Sequence, residues 1–295
     1  MSQSIFVVTP TGNIGSKLVA DLLGRGETVH ILARSPEKLP QAVRDSATVH
    51  VGDLGDEAFV TKASAGASAL FWMTPPDYAA PDVRAVHARS AATAQAVVNA
   101  NAIPYVVHVS SFGAQNDGFG PISLVRLVEE SLNATAANVV HLRPGFFAEN
   151  FLAQADAIKH TGAFYMSLPP EYEMPFVATA DIAAVAADLL AARDFVGKTY
   201  RGVHGTADLS LAEAAKQLGD GTGLAIGYVQ TTLEQTHEAL LKMGMGADYA
   251  RLYREMYGAF AANPNASAEA RTAQTTTPTT LEAWAAQTLK PVVNP

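Results

Sequence analysis

Six short, mostly β-branched runs alternate with helix-forming patterns through the first half of this 295-residue chain, and that rhythm restricts its fold more than any other feature. The runs cover residues 5–8, 28–33, 48–51, 69–73, 105–109 and 138–142. Between them the spacing of apolar residues predicts helices over 15–23, 57–64, 81–100 and 122–134. Strands that are apolar throughout are buried on both faces, and strands alternating with helices pair in parallel. The expected class is therefore α/β, a doubly wound parallel sheet whose ligand lies at the carboxyl ends of the strands.

After residue 142 the rhythm changes. Asp181 precedes an alanine-rich periodic run and reads as the cap of a helix over 182–192, and Ser210-Leu211-Ala212-Glu213 is a capping box opening another. Strands are expected at 199–203 and 225–229, and helices at 233–242 and 249–261. The polar stretch 272–280, broken by Pro278, reads as a linker before a last helix over 281–289. This half would form a smaller mixed α/β lobe that closes a pocket over the strand ends.

A formal charge of -8 and a pI near 5.4, with no basic run, argue against a nucleic-acid partner. The absence of cysteine rules out disulfides, thiolate metal sites and a cysteine nucleophile, and no His/Asp/Glu spacing suggests a metal. Without a leader-like start or a membrane-length apolar stretch, a cytoplasmic protein with no membrane partner is expected. A homodimer is compatible with the sequence.

The first strand runs into Val8-Thr9-Pro10-Thr11-Gly12-Asn13-Ile14-Gly15, a tight turn opening a helix. In that context glycines mark a dinucleotide site. Gly12 lets the backbone approach a pyrophosphate, Gly15 lets helix and strand pack, and the free amides from Thr11 to Ile14 hold the phosphates. Thr9 stands where the first glycine usually does, and Pro10 predicts that Thr9 stays extended, needing no positive φ. At the end of the second strand Arg34, assisted by Lys38, stands where an acid would select an unphosphorylated ribose. A guanidinium there suits a 2′-phosphate, so NADPH/NADP is favoured over NADH/NAD. Residues 1–150 would be the dinucleotide-binding domain and 151–295 the smaller substrate lobe, partly interleaved with it.

Several segments together resemble the NmrA-like group of atypical short-chain dehydrogenases, almost along the whole chain. They are the opening loop; Arg34 followed by Ser35-Pro36-Glu37-Lys38; Val51-Gly52-Asp53-Leu54; Val109-Ser110-Ser111-Phe112-Gly113-Ala114; Leu142-Arg143-Pro144-Gly145-Phe146-Phe147-Ala148-Glu149-Asn150; Thr179-Ala180-Asp181-Ile182-Ala183; and Pro278-Thr279-Thr280-Leu281-Glu282. The resemblance implies a Rossmann domain with a small C-terminal lobe. It also implies that Asp53 and Leu54 flank the adenine, that Thr74 and Pro75 line the cofactor, and that Pro144, Gly145 and Phe146 sit by the nicotinamide. The family includes reductases of quinones, dyes or other conjugated electrophiles, and sensors that bind a dinucleotide without turnover.

The chain has no Tyr between Tyr105 and Tyr165 and no Lys between Lys62 and Lys159, so the usual Tyr/Lys acid pair of short-chain dehydrogenases is missing. Val125 stands at the lysine position with Arg126 beside it, and Phe112 where a catalytic hydroxyl would be sought. Carbonyl reduction makes an alkoxide that needs an acid. A quinone instead becomes a phenol-like anion of pKa roughly 10, and a cationic carbon needs no proton. Reduction of a quinone-like or cationic acceptor is thus the leading reading, with a silent redox sensor acting through a protein partner as the alternative. Phe112, Phe146, Phe147, Phe164 and Tyr165 are expected to line a pocket for a small aromatic substrate, with Asn150 nearby. Ser110 is placed beside the cofactor, and Ser111, Tyr165 and His160 are the candidate proton donors. His108 and His141 read as core histidines, and residues 112–121, with three glycines, as a mobile loop beside the site.

Overall fold

A computed structural model describes residues 3–263, 266 and 269–294. The elements in chain order are β1 (Ser4–Val7), α1 (Gly15–Gly24), β2 (Thr28–Ala33), α2 (Gln41–Ser46), β3 (Thr48–Val51), α3 (Glu57–Ala63), β4 (Ala67–Trp72) and α4 (Val83–Asn101). They continue with β5 (Tyr105–Val109), α5 (Pro121–Asn133), β6 (Asn138–Pro144), β7 (Phe146–Phe147), α6 (Ala155–Thr161), β8 (Ala163–Met166), β9 (Glu173–Val177) and α7 (Thr179–Ala192). The chain then forms β10 (Lys198–Val203), β11 (Asp208–Ser210), α8 (Leu211–Thr222), β12 (Gly227–Gln230), α9 (Leu233–Lys242), α10 (Ala247–Ala262), α11 (Leu281–Trp284) and α12 (Lys290–Val293).

The main sheet has seven parallel strands in the order β10-β6-β5-β4-β1-β2-β3. The strand order reverses between β1 and β4, which opens a crevice at their carboxyl ends. Ile5 and Val7 enter the core beneath α1 and α7, whereas Phe6 and Val8 face the opposite core beneath α3, α4 and α5. All four are fully buried, which is why the strand lacks polar alternation. A second core, around Phe151, Phe164, Phe176, Leu218 and Trp284, unites the three-stranded sheet β11-β9-β7, the pair β12-β8 and helices α8 and α11. No helix among the described residues is long and apolar enough to cross a membrane.

Several local expectations need correction. Asp181 lies inside α7, whose cap position is Ala178. Its carboxylate instead accepts from the backbone N–H (3.1 Å) and hydroxyl (2.7 Å) of Thr279. That contact, with His204 N–H donating to Thr275 O (2.7 Å), fastens the expected linker 272–280 to the body of the fold. The expected strand at 225–229 starts two residues later, β7 and β11 span only two and three residues, and β8 and β9 are further strands that the sequence reading did not list. The final helix continues past Leu289 through a π turn (Ala285–Leu289) into α12.

One face of β5 and β6 is polar where the sequence suggested only core. His108 and His141 pair across the two strands, with their Nδ1 atoms 3.0 Å apart. His141 Nε2 lies 3.0 Å from Asn133 Oδ1 on α5, and Tyr200 of β10 stacks on the His141 ring. Two residues on, Arg143 donates to both carboxylate oxygens of the buried Glu129 (3.0 and 2.8 Å), to Glu269 (2.8 Å) and to Gln115 (3.2 Å). Both histidines read as core groups from the sequence, and both are buried.

Burial holds His141 neutral, with its pKa pushed down to about 4, and pushes His108 well below the ordinary histidine value. The unfolded chain takes up protons near pH 6.5, so stability present above that pH is lost as pH falls towards 4. His141 alone should account for about 2 kcal/mol of loss at pH 5. Urea unfolding at pH 7 and pH 5 should show His141→Phe less stable at pH 7 but with the pH-dependent loss smaller by about that amount. An unchanged pH dependence would contradict the assignment.

Candidate functional site: the crevice at the strand ends

The β1–α1 turn is built by close backbone approach. A Cβ on Gly15 would lie 2.0 Å from Thr9 O, so only glycine lets α1 start this near the end of β1. Thr9 is not extended: its φ is +56°, in the left-handed region, and its carbonyl accepts from Gly12 N–H at 3.2 Å. Proline's preference for extended backbone at the preceding residue is overridden here by the tight turn, at a cost of order 1–3 kcal/mol. The Thr9 hydroxyl is buried without a partner. Thr11, Gly12 and Asn13 are exposed, and Ile14 caps α1 with no side-chain bond; the Gly12 and Ser16 amides are used within the turn, whereas those of Thr11, Asn13, Ile14 and Gly15 donate to no protein group. At Gly12 an added Cβ would meet nothing nearer than Thr9 O at 3.5 Å, so the fold itself does not demand glycine there. Lys17 donates to Asn13 O (2.9 Å) and to Thr179 Oγ1 (3.1 Å), bracing the turn against α7.

Arg34 follows directly after β2 with its side chain 76% exposed, and its guanidinium lies 3.8 Å from Asp53 Oδ2 beyond β3. Lys38 is exposed one short turn later. Asp53 Oδ1 also accepts from Gly55 N–H (2.7 Å), and Leu54 is half-buried. These residues flank the outer end of the crevice, where weakly held cations remain available to a ligand anion.

On the other side of the switch point, the ends of β4, β5 and β6 come together. Thr74 and Pro75 are half-buried after β4, with the Thr74 hydroxyl 2.7 Å from that of Ser90. The Ser110 hydroxyl turns inward and donates to Glu129 (2.6 Å), whereas Ser111 reaches only Phe112 O (3.3 Å). Phe112 N–H donates to Pro144 O (3.0 Å), which sets Phe112 beside the Pro144-Gly145-Phe146 turn. Gly145 has a structural reason of its own, because a Cβ there would lie 2.3 Å from Pro175 O. Phe146 and Phe147 are half-buried, and Phe112 is buried with its ring stacked 5.1 Å from Phe260.

Other candidates do not join this group. Phe164 is fully buried between Phe151 and Tyr228 and has no surface to offer a substrate. The Tyr165 hydroxyl donates to exposed Thr161 (3.0 Å), and His160 Nδ1 lies 2.7 Å from Asp156 O within its own exposed helical turn. β8, which carries Tyr165, pairs with β12 and not with the main sheet. Asn150 is exposed in the helical turn after β7 and its side chain makes no hydrogen bond to the protein. Arg126 is not a stand-in for the missing lysine, since Asp117, Glu130 and Gln115 O hold it. The same contacts clasp residues 112–121, and a Cβ on Gly120 would lie 2.0 Å from Leu252 O. That loop is therefore fitted against α10 and not free. A polar recess of about 570 Å³ between this loop, Arg84 and Arg251 includes none of the strand-end residues.

The helix expected over 249–261 forms as α10, but the sequence reading did not single out its Tyr249, Tyr253 and Tyr257, which recur every four residues and so share one face. Their rings follow one another at 5.6 and 6.3 Å. Tyr78, after β4, adds a fourth ring 5.0 Å from Tyr249.

Three proteins illustrate what this chain is similar to. It is 31% identical over 258 residues to an NAD(P)H azoreductase of Xenophilus azovorans, with 86% of each chain covered. It is 25% identical over 243 residues to quinone oxidoreductase 2 of Escherichia coli strain K12, covering 82% of each. Its fold superposes on the Citrobacter triphenylmethane reductase complexed with NADP(H) at a TM-score of 0.76 and 18% identity, over 97% of this chain and 99% of that one. The profile of the NmrA-like family matches residues 1–285, and with the azoreductase identity this establishes that the chain belongs to the NmrA-like family.

Proposed function

We propose that this protein is an NADPH-dependent reductase that delivers hydride to a quinone-like, azo or cationic conjugated acceptor. One juxtaposition carries the reading. A dinucleotide turn at the switch point faces strand ends furnished with Phe112 and Phe146, and residues 106–158 contain neither tyrosine nor lysine. The names of the azoreductase and quinone oxidoreductase relatives agree with it.

The turn suits a pyrophosphate because Gly12 is unneeded by the fold, the Thr11, Asn13, Ile14 and Gly15 amides are open and the Thr9 hydroxyl lacks a partner. Arg34 and Lys38 would hold the 2′-phosphate, with Asp53 and Leu54 at the adenine. Thr74, Pro75, Pro144 and Gly145 would bound the nicotinamide, whose dihydro form supplies the hydride. Phe112, Phe146 and Phe147 would keep water from the reacting face and hold a flat acceptor in line. Ser110 acts through the framework, since its hydroxyl is committed to Glu129. Acceptors whose reduced form is a weak base, or is neutral, fit a site with no strong acid.

Titrating NADPH by its fluorescence, then adding quinones, azo dyes, cationic dyes, enones and imines, should give NADPH oxidation with at least one of the first three classes. Tight binding with no oxidation anywhere would instead identify a dinucleotide sensor. Arg34→Glu should weaken NADPH by about tenfold or more while leaving NADH nearly unaffected, as expected for loss of a charge-assisted phosphate contact. Equal losses for both nucleotides would remove Arg34 from that role. Gly12→Ala should leave the thermal midpoint unchanged and still weaken both nucleotides, because only the ligand needs the open backbone. Unaltered binding would contradict the pyrophosphate placement.

A further inference from the structure

Helix α10 bridges the loops that follow β4 and β5. At its start Gly246 N–H donates to Tyr78 O (2.7 Å), and Asp248 accepts from Val83 N–H (2.9 Å). Near its end Phe260 stacks on Phe112 and meets Phe119 edge-on at 5.0 Å. Tyr253 and Tyr257 occupy the span between these anchors, so their rings run between the carboxyl-end loops of two neighbouring strands of the crevice.

Their hydroxyls, like that of Tyr249, differ from those of three other tyrosines in the lobe. Tyr228 donates to Met166 O (2.8 Å), Tyr172 to Asn263 O (3.5 Å) and Tyr165 to Thr161 (3.0 Å), so each of those phenols serves the fold. The hydroxyls of Tyr253 and Tyr257 meet no protein donor or acceptor, yet they are not sealed from solvent. The rings are half-buried, with the apolar part packed against the fold and the hydroxyl end left open. Two such groups one helical turn apart leave their polar ends for something outside the fold.

We propose that Tyr253 and Tyr257 form an oxyanion-binding pair that donates hydrogen bonds to the acceptor oxygen gaining charge as hydride arrives. This rests on the reductase reading above. Hydride from NADPH adds two electrons and one hydrogen to a quinone, giving NADP and the hydroquinone monoanion, which takes its second hydrogen as a proton from water. The tyrosines keep their protons throughout. Burial raises both phenols above the ordinary tyrosine value, which keeps them neutral donors and makes them poor acids. A cationic carbon that takes hydride becomes neutral and develops no oxyanion, so it gains nothing from the pair.

The test compares Tyr253→Phe, Tyr257→Phe and the double variant with the native protein, using 1,4-naphthoquinone and a cationic triphenylmethane dye as acceptors. Each variant should lower the quinone-to-dye ratio of kcat/KM by about tenfold, with NADPH affinity and thermal midpoint reported as folding controls. A second readout needs no turnover. 4-Nitrophenolate, bound to the NADP-saturated protein, should show a hydrogen-bond shift in its absorption and bind about tenfold more weakly to each variant, whereas 4-nitrotoluene should not distinguish them. Turnover with an unchanged ratio, or tyrosine-independent binding of 4-nitrophenolate, overturns the proposal. Tyrosine-dependent 4-nitrophenolate binding in a protein that oxidises no NADPH would keep the oxyanion pair and discard the reductase.

Discussion

The ion pair between Glu129 and Arg143 holds together more of this molecule than any other single contact. Glu129 comes from α5 and Arg143 from β6, and the carboxylate also accepts from Ser110 at the end of β5. Through its remaining nitrogen the guanidinium reaches Gln115 of the clasped loop and Glu269 from the far end of the chain, while its plane lies 4.2 Å over Tyr200 of β10. Two charges taken from water are costly unless every lone pair and proton is used. Here that requirement fixes three strands, a helix and a C-terminal segment at once, directly beneath the aromatic end of the crevice.

The arrangement also explains how Ser110 can stand at the strand end without acting as an acid. Its proton is directed at a buried carboxylate, which pulls the hydroxyl away from the face where a substrate would lie. The chemistry left to the crevice is positioning, exclusion of water and whatever dipoles the surrounding helices present. A flat acceptor with delocalised charge asks for little more.

The parallel sheet was legible because burial on both faces leaves runs such as Ile5-Phe6-Val7-Val8 with no polar residue, and the glycine turn was legible because it joins such a run to a helix. What escaped was set by tertiary contact. Thr9 adopts a positive φ because Gly15 allows the helix to crowd its carbonyl, which outweighs the local rule imposed by Pro10. Asp181 looked like a cap since it precedes an alanine-rich run, but its partner Thr279 lies nearly a hundred residues away. Phe164 and Tyr165 alternate on one short strand, so the sequence could offer both as pocket residues although only one face of that strand can meet solvent. The α10 tyrosines were visible as a spacing of four, yet their significance depends on which loops that helix spans.

The fastenings of the second half set an order of assembly. Asp181 waits for Thr279, Arg143 for Glu269, and the Trp284 indole closes on Glu149 at 3.3 Å from the other end of the lobe. The strands β1 to β6 can pair from contacts among residues 4–144, but none of these three ties can form until Glu269, Thr279 or Trp284 has left the ribosome. During synthesis the nucleotide turn therefore exists before the acceptor side is braced, and residues 269–284 decide when an open sheet becomes a finished site.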